Sequence, residues 1–136
     1  MRNILILWFI NIIYFTLFLS LSKVYFYFFY LFYMLLTSTD NNFSKDTATG
    51  VVLVDFWAEW CWPCQIMLPR LTELASKFEG KAKIMKHNVD TEPQTPTNLR
   101  VMAIPTMILF KDWKMLERWT WVQDIATLTN KIESYL

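Results

Sequence analysis

Hydrophobic and polar residues are distributed differently in the two parts of this 136-residue chain. Residues 1–39 are almost wholly apolar and carry only Arg2 and Lys23 as charges. In the rest of the chain, short apolar runs are separated by charged and polar residues, which is typical of a folded domain with a water-exposed surface. The polar stretch 37–42 marks the boundary. We therefore expect a hydrophobic N-terminal segment over 1–39 and a separate domain over 40–136.

The spacing of apolar residues in the second part predicts four strands and three helices. The near-continuous apolar run 51–57 is typical of a central strand covered on both faces. Helical spacing follows over 63–78, and Gly80 ends that helix. The other predicted elements are a strand over 83–89, a short helix near 97–101, strands over 106–110 and 115–121 joined by a tight turn, and a last helix over 125–136. This order predicts an α/β sandwich with a mixed sheet.

The first part of the chain contains a run long enough to cross a lipid bilayer. Residues 4–22 are 19 residues without a charge, and a bilayer core of about 30 Å needs about 20 apolar residues in a helix. Arg2 before the run favours an N-terminus inside the cell. We expect a membrane anchor within residues 4–36 and an extracytoplasmic domain attached to it.

Two alternatives to an anchor stay open. A signal peptide cleaved at Ser20-Leu21-Ser22, a poor small-x-small site, would leave an aromatic run at the mature N-terminus, which disfavours cleavage. Translation from Met34 would instead produce a cytoplasmic domain of 103 residues without the apolar segment.

Composition excludes several classes of protein. The 54% hydrophobic content excludes a disordered chain, and the net charge of +1 argues against a nucleic-acid binder held by phosphate contacts. Two cysteines and one histidine cannot supply the four protein ligands of a structural zinc site. We expect no metal, no other cofactor and no nucleic-acid partner.

The two cysteines stand at the end of the first predicted strand of the domain, in the motif Trp60-Cys61-Trp62-Pro63-Cys64. A cysteine at a helix N-terminus meets free N–H groups and the positive end of the helix dipole, which lower the pKa of its thiol. Cys64 lies one turn later, close enough to close a small disulfide ring. Pro63 suits the first turn, because its missing N–H has no helical partner there.

Together with Asp55 six residues before the motif and Ile104-Pro105-Thr106 about forty residues after it, this pattern resembles the thioredoxin family. The resemblance covers about residues 43–136. It implies a thioredoxin fold, with a central mixed sheet flanked by helices. It also implies a thiol–disulfide oxidoreductase that reduces protein disulfides through a cycle in which Cys61 attacks and Cys64 resolves the mixed disulfide.

The resemblance implies that Asp55 and Lys86 assist the resolving step. Asp55 would accept the proton of Cys64, and a carboxyl on a core strand is expected to have a raised pKa that suits this transfer near neutrality. The alternatives are a strand-end residue for Asp55 and an ordinary surface lysine for Lys86.

Four further residues are implied in substrate binding. Ile104-Pro105 would form a cis peptide bond against the cysteine pair, where the Ile104 backbone would pair with an extended substrate segment. Trp60 and Trp62, on either side of Cys61, would border the substrate groove.

The implied partners are disulfide-containing protein substrates and a reductase, either thioredoxin reductase or a membrane thiol donor. One alternative function is a membrane-tethered extracytoplasmic exchange protein for envelope or cytochrome assembly. Another is a non-catalytic binding module with a thioredoxin fold, which the intact cysteine pair disfavours.

Three tryptophans, Trp62, Trp113 and Trp121, stand where the family has glycine, and the chain has only two glycines. The turn at Trp113 requires a positive φ, which favours glycine. A codon UGA, translated as glycine in some bacteria and as tryptophan in other codes, would account for all three. Genuine tryptophans are the alternative; they would change the dipeptide between the cysteines and narrow the groove. The DNA sequence or a peptide mass across residues 58–70 distinguishes the two.

Overall fold

Residues 35–136 are the part of the chain that the computed structural model describes. The predicted membrane anchor, the signal-peptide alternative and the alternative start at Met34 depend on residues 1–34, which lie outside the described residues. Among residues 35–136, no helix has the length and apolar character needed to cross a membrane.

The described residues form five strands and four short or medium helices. The strands are β1 (Leu36–Ser38), β2 (Val51–Trp57), β3 (Ala82–Asn88), β4 (Thr106–Lys111) and β5 (Lys114–Thr120). The helices are α1 (Phe43–Asp46), α2 (Trp62–Lys77), α3 (Gln94–Asn98) and α4 (Ile125–Glu133).

The strands form one mixed sheet in the order β1-β3-β2-β4-β5. β3 runs parallel to both β1 and β2, whereas β4 runs antiparallel to β2 and to β5. β2 is therefore the central strand, and its first six residues are all buried. This confirms the predicted α/β class and the central position of the apolar run 51–57.

Alternate residues of β2 enter two different cores, because successive side chains of a strand point to opposite faces. On one face, Leu53 packs with Met67 and Leu71 of α2 and with Leu128 of α4. The core on the other face is built from Val52, Val54, Phe56, Met85, Ile108 and Phe110, with Phe43 packed against it. The spacing of buried residues along α2 explains why this helix forms and which side it presents to the sheet.

β1 and α1 are absent from the prediction, and β1 includes part of the stretch assigned to a linker. Leu36–Ser38 pairs in parallel with β3, so the folded domain begins before residue 40. Ser38 is buried and its hydroxyl lies 3.1 Å from Nδ1 of His87, a residue on β3. A strand of three residues is too short to show a detectable alternation of apolar and polar residues. Its partner strand, β3, is almost fifty residues away in the chain.

The short helix α3 begins at Gln94, earlier than the prediction near 97–101. Its position follows from a distant carboxylate. Asp40 accepts hydrogen bonds from the backbone N–H groups of Gln94 at 3.0 Å and Thr95 at 2.7 Å. These N–H groups have no partner within the helix, so the Asp40 side chain satisfies them.

Two of the three unusual tryptophans have the backbone conformation that favours glycine. Trp113 has a φ of 62° and Trp121 a φ of 82°, similar to the 76° of Gly50 and the 73° of Gly80. Trp62 instead lies in the first turn of α2, where any residue with helical angles fits. The backbone therefore accords with the glycine hypothesis at positions 113 and 121 and is neutral about position 62.

Replacing Trp113 by glycine should stabilise the fold. The left-handed conformation costs a residue with a side chain about 1–2 kcal/mol, and the greater freedom of glycine in the unfolded chain offsets about 0.5–1 kcal/mol of that. We expect the free energy of unfolding, measured by urea denaturation, to rise by up to about 1 kcal/mol. The matched control Trp62→Gly, at an ordinary helical position, should lower it. A loss of stability in the Trp113 variant would show that its indole makes a stabilising contact.

Candidate active site

Cys61 is the residue directly before α2 and caps its N-terminus. β2 ends at Trp57, and the short loop after it is closed by a hydrogen bond of 3.2 Å from the Cys61 N–H to the Ala58 carbonyl. The backbone at Cys61 is extended, and its sulfur accepts a hydrogen bond of 3.3 Å from the Cys64 N–H. The sulfur thus takes the place of the polar side-chain oxygen that usually caps a helix.

The two cysteines form a disulfide across the first turn of α2, with their Cα atoms 5.3 Å apart. Both are buried: Cys61 is 3% exposed and Cys64 1%. When the pair is reduced, a thiolate at Cys61 faces an N–H donor and the positive end of a 16-residue helix. Both interactions favour the ionised thiol. The site can therefore supply a nucleophilic sulfur with a second sulfur in reach of it.

Asp55 is a buried carboxyl with no hydrogen-bond partner on either oxygen among the described residues. Burial without a compensating partner penalises the charged form and raises the pKa of Asp55 to about 8. Asp55 stands two residues after Leu53 and so shares the face of β2 that packs on α2. The structure confirms the sequence-based expectation of a raised pKa, and its cause is desolvation.

Lys86 lies next to Asp55 in the register of β2 and β3. Its ammonium nitrogen is 5.0 Å from the ring centroid of Trp57, which places a cation over an aromatic face. Lys86 is half-buried, and both its part in the resolving step and the alternative of an ordinary surface lysine stay predictions.

The Ile104–Pro105 peptide bond is cis, as predicted. Ile104 packs against a cluster formed by Ala58, Cys61 and Cys64. The fold therefore brings the loop that contains Ile104, about forty residues later in the chain, to the cysteine pair. The sequence predicted this contact only through the resemblance to the family.

Trp60 borders a cavity of about 420 Å³ beside the cysteine pair. Its indole N–H donates a hydrogen bond of 2.9 Å to the carboxylate of Asp90, in the loop after β3. The lining of the cavity also includes Val89, Met102 and Ile104. Sequence reasoning missed Asp90, Val89 and Met102, because no local pattern marks loop residues that meet only in the folded chain.

The comparisons with known proteins agree with this geometry. A family model described as Thioredoxin matches residues 34–134. The chain belongs to the thioredoxin family. It is 45% identical over 98 residues to thioredoxin of Staphylococcus saprophyticus, covering 72% of this chain and 94% of that protein. The thioredoxins of Staphylococcus haemolyticus and Staphylococcus aureus are each 43% identical over the same lengths.

Family membership and the paired cysteines make the protein a thiol–disulfide oxidoreductase of the protein-disulfide reductase type. The relatives are thioredoxins and give no support to the alternative of a membrane-tethered exchange protein, whose predicted anchor lies mostly outside residues 35–136. Within those residues no group of three or more His, Cys, Asp or Glu side chains is placed to hold a metal ion.

The pKa of Asp55 makes stability depend on pH. An acid whose pKa is higher in the folded than in the unfolded chain destabilises the fold as pH rises between the two values, here from about 4 to about 8. The Asp55→Asn variant should therefore gain stability over the parent with rising pH, at up to about 1.4 kcal/mol per unit, and level off above pH 8.

Urea unfolding curves from pH 4 to 9 measure this difference, with the exposed Glu79→Gln as matched control. The control should show no comparable trend. A gain for Asp55→Asn that is the same at every pH would contradict the raised pKa.

Proposed function

We propose that the protein reduces protein disulfides through a cycle in which Cys61 is the nucleophile and Cys64 the resolving residue. The observation that carries this assignment is the position of Cys61 at the start of α2, with the Cys64 N–H directed at its sulfur. Of the two sulfurs, that of Cys61 receives the hydrogen bond and lies at the helix end, between two exposed tryptophans.

In the first step, the Cys61 thiolate attacks one sulfur of the substrate disulfide. A Cys61–substrate bond forms, the substrate bond breaks, and one substrate thiolate leaves. In the second step, the Cys64 thiolate attacks the Cys61 sulfur, the bond from Cys61 to the substrate breaks, and the second substrate sulfur leaves as a thiolate. The enzyme loses two electrons and is left with the Cys61–Cys64 disulfide that the structure contains. A partner reductase, or another thiol donor, returns those electrons.

Asp55 is proposed as the acceptor of the Cys64 proton. Three observations support this role: the carboxyl is buried, it lies on the face of β2 that packs on α2, and its pKa is about 8. A group with a pKa near that of a thiol exchanges protons with it without a large free-energy difference. Because Cys64 is itself buried, bulk water has little access to the thiol.

Lys86 is proposed as a positioning residue for this proton transfer. It is the cross-strand neighbour of Asp55, and its ammonium group lies over the ring of Trp57, two residues after Asp55 on β2. A positive charge there would favour the ionised carboxylate, the form that Asp55 must have before it accepts the Cys64 proton.

Substrate is proposed to lie along the Ile104–Pro105 segment. Ile104 packs directly on the cysteine cluster, and the cavity beside Trp60 offers apolar surface next to it. An extended polypeptide paired with the Ile104 backbone would bring its disulfide to Cys61. Trp62, 75% exposed and adjacent to Cys61, is proposed as a further contact.

The two cysteine roles are distinguished by replacing each with serine. Cys61→Ser should abolish the reduction of insulin disulfides, because no nucleophile remains. Cys64→Ser should also lose turnover but accumulate a covalent adduct with substrate, since only the resolving thiol is missing. Non-reducing gels and intact mass measure the adduct. An adduct on Cys61→Ser, and none on Cys64→Ser, would reverse the assignment.

Replacing Asp55 by asparagine should slow resolution more than attack. General bases contribute about 10²–10⁴-fold, and water can replace part of the effect, so we expect a loss near the lower end. Stopped-flow reduction of a model disulfide separates the two steps. The control Glu79→Gln should leave both steps as in the parent. Equal slowing of both steps in Asp55→Asn would instead indicate that the carboxyl acts on Cys61.

A further inference from the structure

The turn that follows α3 leads into the segment next to the cysteine pair. Helix α3 ends at Asn98, and Arg100 then takes a left-handed conformation with a φ of 55°. The Arg100 N–H donates a hydrogen bond of 3.0 Å to the Thr97 carbonyl. The Val101 N–H donates one of 2.8 Å to the Pro96 carbonyl. These two bonds are a common way to end a helix, but glycine usually takes the left-handed position, so a side chain at this point makes the turn less favourable.

Arg118 of β5 supports this turn from a distant part of the chain. Its Nη2 donates a hydrogen bond of 2.6 Å to the Leu99 carbonyl, and its Nη1 donates one of 3.2 Å to the Arg100 carbonyl. Carbonyls at and beyond the end of a helix have no partner within the helix. A planar guanidinium can bond two acceptors in one fixed geometry, which the ammonium group of a lysine cannot. Arg118 therefore joins the edge strand of the sheet to the turn after α3.

The register of the sheet explains why Arg118 reaches the turn. Arg118 stands opposite Ile108 of β4, whose side chain belongs to the core against which Leu99 and Val101 also pack. Trp119, the next residue of β5, packs against the other core, because successive side chains of a strand alternate between faces. The guanidinium thus lies on the same face of the sheet as the turn it binds.

Residues 101–104 connect this turn to the proposed substrate site. All four line the cavity beside the cysteine pair, and Ile104 packs on the cysteine cluster itself. The end of the segment nearest the cysteines is held by the Thr106 hydroxyl, which donates a hydrogen bond of 2.7 Å to the Ala103 carbonyl. In the middle of the segment, Met102 is 92% exposed, so packing does little to hold the chain there. The opposite end depends on the turn that Arg118 binds.

We propose that Arg118 is a positioning residue for disulfide reduction: it fixes the turn after α3 and thereby residues 101–104, along which a substrate disulfide is presented to Cys61. This inference rests on the proposed function and deepens it. A segment already held in its binding conformation loses little freedom when a polypeptide pairs with it, which lowers the cost of binding. Without the guanidinium, the left-handed turn at Arg100 loses its external support. The loss falls on substrate binding, because the hydrogen bonds of Arg118 go to the turn and to the Met115 sulfur rather than to the cysteines.

The first measurement is local and needs no activity. Hydrogen exchange at the Val101 N–H, whose bond to the Pro96 carbonyl closes the turn, reports how often the turn opens. In the full chain with its disulfide formed, Arg118→Gln should speed this exchange about three- to tenfold, the net effect of losing hydrogen bonds at an exposed site. Arg118→Lys, which keeps the charge but not the two-carbonyl geometry, should give an intermediate rate. Unchanged exchange in Arg118→Gln would overturn the proposal.

The second measurement is the reduction of insulin by the same variants. We expect kcat/KM to fall about three- to tenfold in Arg118→Gln, through a higher KM with kcat retained. The matched control is Lys114→Gln, which removes an exposed positive charge from the first residue of β5. It should match the parent in both measurements, which separates the turn from any effect of charge on substrate approach.

A third measurement tests whether Arg118 acts on the cysteine instead. Alkylation of reduced Cys61 by iodoacetamide needs no bound polypeptide, so its rate and pH profile should be the same in the parent, Arg118→Gln and Lys114→Gln. A changed profile in Arg118→Gln would overturn the positioning role. So would faster exchange at Val101 without a rise in KM, because the turn would then have no part in binding.

Trapping in the Cys64→Ser background distinguishes failure of this inference from failure of the proposed function. The rate at which a peptide disulfide forms the mixed disulfide with Cys61 depends on its presentation and needs no turnover. If the parent does not reduce insulin but trapping is slowed by Arg118→Gln and not by Lys114→Gln, the reduction cycle falls and the positioning role stands. Turnover by the parent, with trapping and KM unaffected by Arg118→Gln, has the opposite meaning.

Discussion

The start of α2 is the constraint on which the site depends. The first backbone N–H groups of a helix have no carbonyl four residues earlier to bond within the helix. Here the N–H of Cys64 donates to both the sulfur and the carbonyl of Cys61. The same arrangement caps the helix, places a thiol at the positive end of the helix dipole and sets Cys64 one turn away. Structural stability of the helix and reactivity of the sulfur thus have one physical origin. Both are determined by where β2 ends and α2 begins.

The central strand has a second consequence for function. β2 is covered by packed side chains on both faces, so any polar group on it is removed from water. Asp55 lies in this strand without a hydrogen-bond partner among the described residues, and burial alone raises its pKa to about 8. A carboxyl at this position weakens the fold near neutral pH. Its presence is understandable if a proton must be moved inside the core, beyond the reach of water.

The surface around the cysteine pair is dominated by aromatic side chains of different structural character. Trp60 is tied by a hydrogen bond to Asp90, and Trp57 supports Lys86. Trp113 and Trp121 make a different contribution, because their backbone conformation disfavours a side chain. At Trp113 the strained backbone serves only the turn between β4 and β5. At Trp121 it accompanies a hydrogen bond from the backbone N–H to the carbonyl of Pro105, the residue of the cis peptide bond.

The sequence by itself determined the features that depend on neighbouring residues. Apolar runs, helical spacing and the cysteine pair at a helix start are local, so β2, α2 and the site motif were predicted with bounds within a residue or so. Tertiary structure decided what depends on distant partners. Asp40 sets where α3 begins, His87 binds Ser38 of β1, and Trp60 finds Asp90. Residues 40 and 95, like residues 60 and 90, come into contact only once the strands are arranged in the sheet. The order of the strands in the sheet cannot be predicted from any periodicity along the chain.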